Sequence, residues 1–260
     1  MDKNPEKIFS VYCGRTYTLR ELANKSFGNS WFTIAITEIS ERVSNSEFPC
    51  PFGRKSWEAS SAKILFCEKY EHLLSGLEEY TNFVKKTDVK NRIYAPLISV
   101  ISKRLIKGDG QHATAWNMLN WAHMRDPEAW PDDVPIDSEA SEWSFCFNGI
   151  QLFINFSSSD HKYMKSRNLG PFLCLVINPR QNFDLVASAD TKSGQLIRKK
   201  IRSRVAAYNG GLVPEELGQY GEAENREWKQ YQLHEEGLPR PSRCPLKLFR
   251  RPQSLERNTK

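Results

Sequence analysis

Five histidines and six cysteines are the side chains of this chain best suited to bind a metal or act as nucleophiles. They are His72, His112, His123, His161 and His234, with Cys13, Cys50, Cys67, Cys146, Cys174 and Cys244. No two cysteines form a C-x-x-C pair, and the spacing matches no zinc-binding pattern. The sequence therefore offers single donors rather than a metal cluster. Scattered unpaired cysteines also predict a reducing, cytoplasmic location.

His161 is the histidine with the most informative surroundings. It lies in a polar loop, residues 157–167, between two apolar segments that are predicted strands. Rigid strands that present a polar loop are a common way to build a site. A histidine there is either a ligand or a surface residue with ordinary hydrogen bonds. His123, predicted on the inner face of a helix, and Cys50, between two prolines, are the alternative donors.

Arginines near this loop could hold an anionic ligand. Arg167 and Arg180 carry guanidinium groups, which match a carboxylate with two parallel hydrogen bonds. A salt bridge to an acidic residue of the same chain is the alternative role for each. Arg202 lies in a basic segment that is typical of a solvated helix face.

A predicted hairpin positions the loop. Alternating apolar residues at 143–147 and 150–156 flank Asn148 and Gly149. Asn-Gly between two such segments favours the positive φ angles of a tight turn. Further strands are predicted at residues 63–67, 94–101 and 172–177.

Helical periodicity predicts most of the remaining structure. Apolar residues recur at three- and four-residue steps in residues 71–86, 110–125 and 193–208. In the last of these segments Leu196, Ile201 and Val205 are predicted to face inward. Residues 48–53 hold two prolines and a glycine and are predicted to lack regular structure. Residues 224–233 fit a helix or a strand equally well.

These elements predict a single α+β domain with helices packed on a mostly antiparallel sheet, because the strands cluster as hairpins. The predicted divisions are an N-terminal extension (1–45), a main domain (46–236) and a basic, flexible C-terminal tail (237–260). The tail has seven basic residues and one acidic residue, so it accounts for the net charge of +6. Nucleic-acid binding therefore has little support beyond this tail and the basic segment 193–208.

Several functional classes lack their sequence signatures. The chain has no G-x-x-x-x-G-K-[ST], G-x-G-x-x-G, G-x-S-x-G or H-E-x-x-H motif. No apolar segment approaches the roughly 20 residues that span a bilayer, so no membrane association is expected.

Taken in order, several motifs resemble one protein family. They are a Trp-x-Phe strand at Trp143, the Asn148-Gly149 turn, His161 with Ser166-Arg167, a strand ending in Pro179-Arg180, and GQYGEAENREWKQY at 218–231. This succession, from about Phe48 to Phe249, is similar to the YqcI/YcgG family. Some members of that family are haem-dependent N-oxygenases of guanidine groups, such as the arginine hydroxylases of natural-product pathways.

The resemblance implies a haem-dependent monooxygenase that hydroxylates a nitrogen of an arginine-like guanidine or amine in specialised metabolism. A non-catalytic haem or small-ligand binding protein is the alternative. The implied cofactor is haem b. The implied partners are a small-molecule substrate, dioxygen or peroxide, and a ferredoxin with its reductase.

The resemblance also implies roles for individual residues. His161 is the implied axial ligand of the haem iron, because it matches the family's His-x(4)-Ser-Arg element, with His123 and Cys50 as alternatives. The implied cofactor-binding residues are Ser166, Arg167 and Arg180, the arginines through the haem propionates. The implied substrate-binding residues are Glu227, Trp228 and Tyr231, since carboxylates and aromatic faces bind guanidinium cations. Val213 stands where family members often carry a histidine.

Overall fold

The computed structural model describes residues 10–25, 27–188, 190–218 and 220–250. The first nine residues of the predicted extension and the last ten of the predicted tail, 251–260, lie outside these ranges. Within them the chain forms a six-stranded sheet covered by helices, so the α+β prediction is confirmed.

Strands, α-helices and short 3-10 turns make up the regular structure of these ranges. The strands are β1 (Thr16–Thr18), β2 (Lys63–Cys67), β3 (Leu97–Ile101), β4 (Phe145–Phe147), β5 (Ile150–Ser157) and β6 (Leu173–Pro179). The α-helices are α1 (Leu19–Ala23), α2 (Trp31–Ser44), α3 (Pro51–Glu58), α4 (Tyr70–Lys86), α5 (Val89–Arg92), α6 (Gly110–His123), α7 (Arg180–Val186), α8 (Lys192–Tyr208) and α9 (Glu227–Tyr231). The 3-10 turns occur at Ser10–Tyr12, Lys103–Leu105 and Lys165–Arg167.

The sheet has the strand order β1-β2-β3-β6-β5-β4. Among the six strands of the described ranges, β2 and β3 are the pair that runs parallel, and α4 lies in the connection between them. The other neighbouring strands pair antiparallel. β3 lies inside the sheet and begins directly after Pro96, because a proline within the strand would remove a ladder hydrogen bond.

The predicted hairpin is confirmed. Asn148 and Gly149 connect β4 to β5 with φ angles of 50° and 69°, the conformation that this dipeptide adopts in two-residue turns. Phe147 pairs with Ile150, and Phe145 pairs with Leu152. The turn thus sets the register of β5, which leads into the loop at 158–167.

The two faces of the sheet bury different cores. On one face Leu152, Ile154 and Phe156 of β5 pack with apolar residues of α4 and α6. On the other face the sheet packs against α2 and α3. Alternate side chains of a strand point to opposite faces, so Phe153, Asn155 and Ser157 lie on the second face.

Two local predictions were wrong. Residues 48–53 are not irregular throughout, because α3 begins at Pro51 with Cys50 as its N-cap. A proline is accommodated at the first helical position, where its missing N–H has no intrahelical acceptor. Leu196 of α8 does not face inward: it is 67% exposed, since the inner side of α8 is the one that carries Ile201 and Val205.

Both ends of the described chain contribute to the fold. β1 adds an edge strand to β2, and α2 buries Phe32, Ala35 and Ile39. In the segment predicted as a tail, Leu246 is buried in the first core, and Asn120 donates to the Pro245 carbonyl at 3.0 Å. No helix within the described ranges is both long and apolar enough to cross a bilayer.

Candidate functional site

A cavity of about 270 Å³ lies on the second face of the sheet, where α8 stands over β3, β5 and β6. Its strand residues are Ile98, Phe153, Asn155, Ser157, Val176 and Asn178. Its helical residues include Phe52 and Trp57 of α3, Phe183 of α7, and Ile201 and Val205 of α8. The lining is largely apolar, and the volume is close to the lower limit of roughly 300 Å³ for small-molecule pockets.

Arg167 brings a positive charge into this apolar lining. The residue is 8% exposed, and its Nη1 atom is buried without a hydrogen-bond partner. None of the ion pairs in the described ranges involves Arg167. Burial lowers the pKa of Arg167, and the charge of Glu216 acts in the opposite direction. Glu216 is already paired with Arg240, because the Arg240 Nη1 and Glu216 Oε1 atoms are 2.6 Å apart. A buried cation without a counter-ion is costly, so the cavity favours an anionic ligand.

Burial lowers the pKa of the Arg167 guanidinium to about 10. The group therefore stays charged at neutral pH. Its neighbour Ser166 also lines the cavity, and the Ser166 Oγ atom is buried without a partner. Two adjacent polar groups of one loop are thus available to the same ligand.

Cys50 is the cysteine that lines the cavity. Its Sγ atom accepts a hydrogen bond from the Gly53 N–H at 3.3 Å, at the N-terminus of α3. The Arg204 guanidinium donates to the carbonyl oxygen of Phe48 at 2.7 Å and so fixes the segment before it. Burial raises the pKa of the Cys50 thiol, while the nearby Arg204 and Arg167 charges act in the opposite direction. A metal bound to this sulfur would remove its proton.

His161 lies next to the cavity but is not among its lining residues. The ring is fully buried, and its Nδ1 atom is 3.1 Å from the Arg167 carbonyl oxygen. The Nε2 atom has no hydrogen-bond partner, and the ring lies 4.8 Å from that of His112. Burial lowers the pKa of both imidazoles, that of His112 to about 3. Ligation of iron by His161 stays a prediction.

His123 lies elsewhere in the fold. Its Nε2 atom accepts the Phe249 N–H at 3.2 Å, and its ring packs edge-on against Trp130. Trp130 belongs to the core on the first face. His123 is therefore separated from the cavity by the sheet.

Arg180 and Glu227, predicted to bind cofactor and substrate respectively, contact each other. The Arg180 Nη1 and Glu227 Oε2 atoms are 3.1 Å apart. Ser144 Oγ and Tyr231 OH donate to Glu227 Oε1 at 2.7 and 2.8 Å. The Arg180 guanidinium also stacks over the Tyr220 ring. This buried network already uses both carboxylate oxygens of Glu227.

Trp228 and Tyr231 lie beside Glu227 on α9. The Trp228 Nε1 atom donates to Glu139 at 3.0 Å, and the Tyr231 ring stacks on Trp116 at 6.1 Å. Both side chains belong to the core on the first face. The three predicted substrate-binding residues thus lie together, but none of them is in the described lining of the cavity.

The loop that carries Ser166 and Arg167 is held by Glu235. The Glu235 carboxylate accepts the backbone N–H groups of three successive residues at 2.8 to 3.0 Å. They are Lys162, Tyr163 and Met164. The sequence did not predict this contact. It also did not predict that the polar side chains of Asn155 and Asn178 line the cavity. The alternation of β5 was the available signal, since it puts Asn155 opposite the apolar core face.

The YqcI/YcgG family model matches residues 39–247 of the chain. A Streptomyces lavendulae protein named "Putative N(omega)-hydroxy-L-arginine synthase DcsA" is 38% identical over 226 residues, which are 84% of this chain and 84% of the relative. The uncharacterized proteins YcgG and YqcI of Bacillus subtilis (strain 168) are 31% and 30% identical over 229 residues, 83% of this chain and 88% and 87% of theirs. No solved structure matches the chain.

The family match includes the elements that surround the cavity, from α3 through β3, β5 and β6 to α8. The three relatives each align over more than four-fifths of their own length. The chain belongs to the YqcI/YcgG family.

Proposed function

We propose that the protein is a haem-dependent N-oxygenase that hydroxylates a guanidine nitrogen of an arginine-like substrate. The reaction is suggested by the name of the Streptomyces relative, which refers to the synthesis of an N-hydroxylated arginine. The observation that carries the proposal is the buried, unpaired Arg167 in an apolar cavity that Cys50 also lines.

The kinds of side chain around the cavity suit haem b, but a volume of about 270 Å³ is too small for a porphyrin and a substrate, so haem binding requires α8 to shift outward. A haem combines a flat apolar ring, two carboxylates and an iron that needs an axial donor. Aromatic and aliphatic side chains suit the ring. Arg167 and Ser166 have unpartnered polar atoms for a propionate. Cys50 has the sulfur donor.

We favour Cys50 over His161 as the axial ligand. Cys50 lines the cavity, whereas His161 packs against His112 and the backbone of Arg167. The N-terminus of α3 stabilises a thiolate, because the Gly53 N–H already points at the sulfur. A thiolate ligand also favours cleavage of the O–O bond.

The protein's own residues would orient the reactants and exclude water. Bound haem supplies the activation of dioxygen. Arg167 would fix the orientation of the ring through one carboxylate. The apolar side chains of α3, α7 and α8 exclude water from the cavity. The reaction consumes dioxygen, two electrons and two protons; one oxygen atom enters the new N–OH bond and the other leaves as water.

The substrate guanidinium needs hydrogen-bond acceptors. No carboxylate is found among the described residues that line the cavity, but Asn155 and Asn178 have side-chain carbonyl oxygens there. We propose these two amides as acceptors for the substrate. Glu227, predicted from the sequence, could act only by giving up its contact with Arg180.

The absence of a carboxylate from the described cavity lining also favours a second candidate function, that of a haem-binding protein without catalytic turnover. The two candidates differ in whether product forms. Haem-loaded protein would be supplied with arginine, reduced ferredoxin and isotopically labelled dioxygen. Mass spectrometry should find labelled N-hydroxylated product with the wild type and with Cys244→Ser, a thiol remote from the cavity, but not with Cys50→Ser. Haem binding without product from any guanidine or amine tested would overturn the enzyme proposal.

A further inference from the structure

Helix α8, the wall of the cavity that faces solvent, is strongly basic. It contains six lysines and arginines and no acidic residue. Its three arginines bond to backbone carbonyl oxygens of the same chain. They are Arg198 to Ala187, Arg202 to Gly218, and Arg204 to Phe48. Asp184 and Glu222 act on Arg198 as well. The arginines are thus already engaged within the fold.

The lysines of α8 are arranged differently. Lys192, Lys199 and Lys200 are exposed, and their ammonium groups have no hydrogen bond or ion pair in the described part of the chain. Lys192 is four residues before Leu196, and Lys199 and Lys200 are three and four residues after it. Leu196 is 67% exposed. Residues at these spacings are neighbours on a helix surface. We call Lys192, Leu196, Lys199 and Lys200 the lysine face.

Further apolar surface lies next to α8. Leu212 and Val213, which follow the helix, are 45% and 59% exposed. Val213 also borders a groove of about 420 Å³ along the outer side of α8. An apolar centre inside a rim of charged residues is typical of protein interfaces.

The opposite side of the same helix reaches the cavity. Ile201 and Val205 of α8 line it. A helix with its side chains is about 10–12 Å across. A partner on the lysine face would therefore be separated from a cavity ligand by about one helix diameter.

We propose that the lysine face docks an acidic iron–sulfur protein of the ferredoxin type, which delivers electrons through α8. This inference rests on the proposed function, because N-hydroxylation with dioxygen consumes two electrons. Ferredoxin transfers one electron at a time, so two reduced molecules are oxidised in each turnover. Three unpaired cations complement an acidic carrier and accelerate its encounter. Electron-transfer complexes are small and transient, which suits a face formed mostly by one helix.

The test measures binding of an oxidised plant-type [2Fe–2S] ferredoxin to the full-length protein, by calorimetry at low and high salt. Reversal of two charges in Lys199→Glu/Lys200→Glu should weaken binding about 10-fold or more at low salt. Salt should reduce this difference, because it screens exposed charges. The matched control is Lys86→Glu/Lys90→Glu, which makes the same charge change at two exposed lysines of α4 and α5, outside the lysine face. It should change binding less than about 2-fold.

Equal effects of the two double variants, or none from either, would overturn the docking proposal. Selective loss of duplex DNA binding instead would reassign the lysine face to nucleic acid and overturn it too. Peroxide-supported hydroxylation, which bypasses the carrier, should be unchanged in Lys199→Glu/Lys200→Glu. If the rate of peroxide-supported hydroxylation falls in this variant, the lysines affect the reaction in the cavity rather than the binding of the carrier, and the proposal fails. A wild type that binds ferredoxin but no haem would instead contradict the proposed function alone.

Discussion

Replacement of Arg167 by methionine should have opposite effects on the free protein and on haem binding. The guanidinium lies in an apolar cavity without a counter-ion. A pKa of about 10 in place of 12.5 corresponds, at 1.36 kcal/mol per pH unit, to about 3 kcal/mol against the charged form. Methionine has a similar length and no charge, so Arg167→Met should stabilise the apo protein by about 1–3 kcal/mol.

The same variant should bind haem more weakly. A charge-assisted hydrogen bond contributes about 1.5–3 kcal/mol, so its removal should raise the dissociation constant of haem about 10- to 100-fold. Urea unfolding of the apo protein and titration of the Soret band measure the two quantities. Arg42→Met is the control, because Arg42 forms an ion pair with Glu38 in which both side chains are about one-third exposed. Reduced apo stability together with unchanged haem affinity would refute the assignment of Arg167 as an anion-binding residue.

Three further predictions test other parts of the structure. Glu227→Gln should lower the free energy of unfolding, measured in urea, by about 3–5 kcal/mol, because Arg180 loses its buried counter-ion. The control is Glu139→Gln, since the Glu139 side chain is half-exposed. Equal losses in the two variants would contradict the prediction. Burial lowers the pKa of His112 to about 3, so only the unfolded chain takes up this proton between pH 6.5 and 4.5, and the free energy of unfolding falls as the pH falls. His112→Gln should reduce that loss by about 2 kcal/mol, and an unchanged pH dependence would contradict the prediction. Haem loading should slow amide hydrogen exchange in α8, whose only buried residue is Gly194; unchanged exchange there would contradict binding beneath this helix.

Much of the fold could be predicted because its signals are local. The Asn148-Gly149 turn, the alternation of β5 and the periodicity of α4 each depend on neighbouring residues in the chain. Such patterns fix an element and its buried face without knowledge of the remaining fold. The prediction of an antiparallel hairpin next to a polar loop was confirmed on these grounds.

The wrong or missing predictions concern contacts between distant segments. Leu196 was assigned inward from periodicity, but α8 covers a cavity and has no tightly packed inner face. The pairing of Arg180 with Glu227 joins residues 47 positions apart. No local pattern distinguishes an arginine with an internal counter-ion from one without, so Arg180 and Arg167 looked equivalent in the sequence.

The cavity was equally hidden, because its lining comes from many elements. Cys50 looked like part of a proline-rich loop, and only the start of α3 at Pro51 reveals its position as a helix N-cap. Asn155 and Asn178 come from two strands that pair side by side, and each is polar in an otherwise apolar setting. The long-range register of the sheet brings these residues together.

The most direct measurement is the absorption spectrum of the reduced, haem-loaded protein with carbon monoxide. It would be recorded for the wild type, Cys50→Ser and His161→Gln. Ligation of the iron by Cys50 predicts the red-shifted Soret band of a thiolate ligand in the wild type and in His161→Gln, and its loss in Cys50→Ser. A spectrum of histidine ligation that persists in Cys50→Ser and disappears in His161→Gln would contradict it.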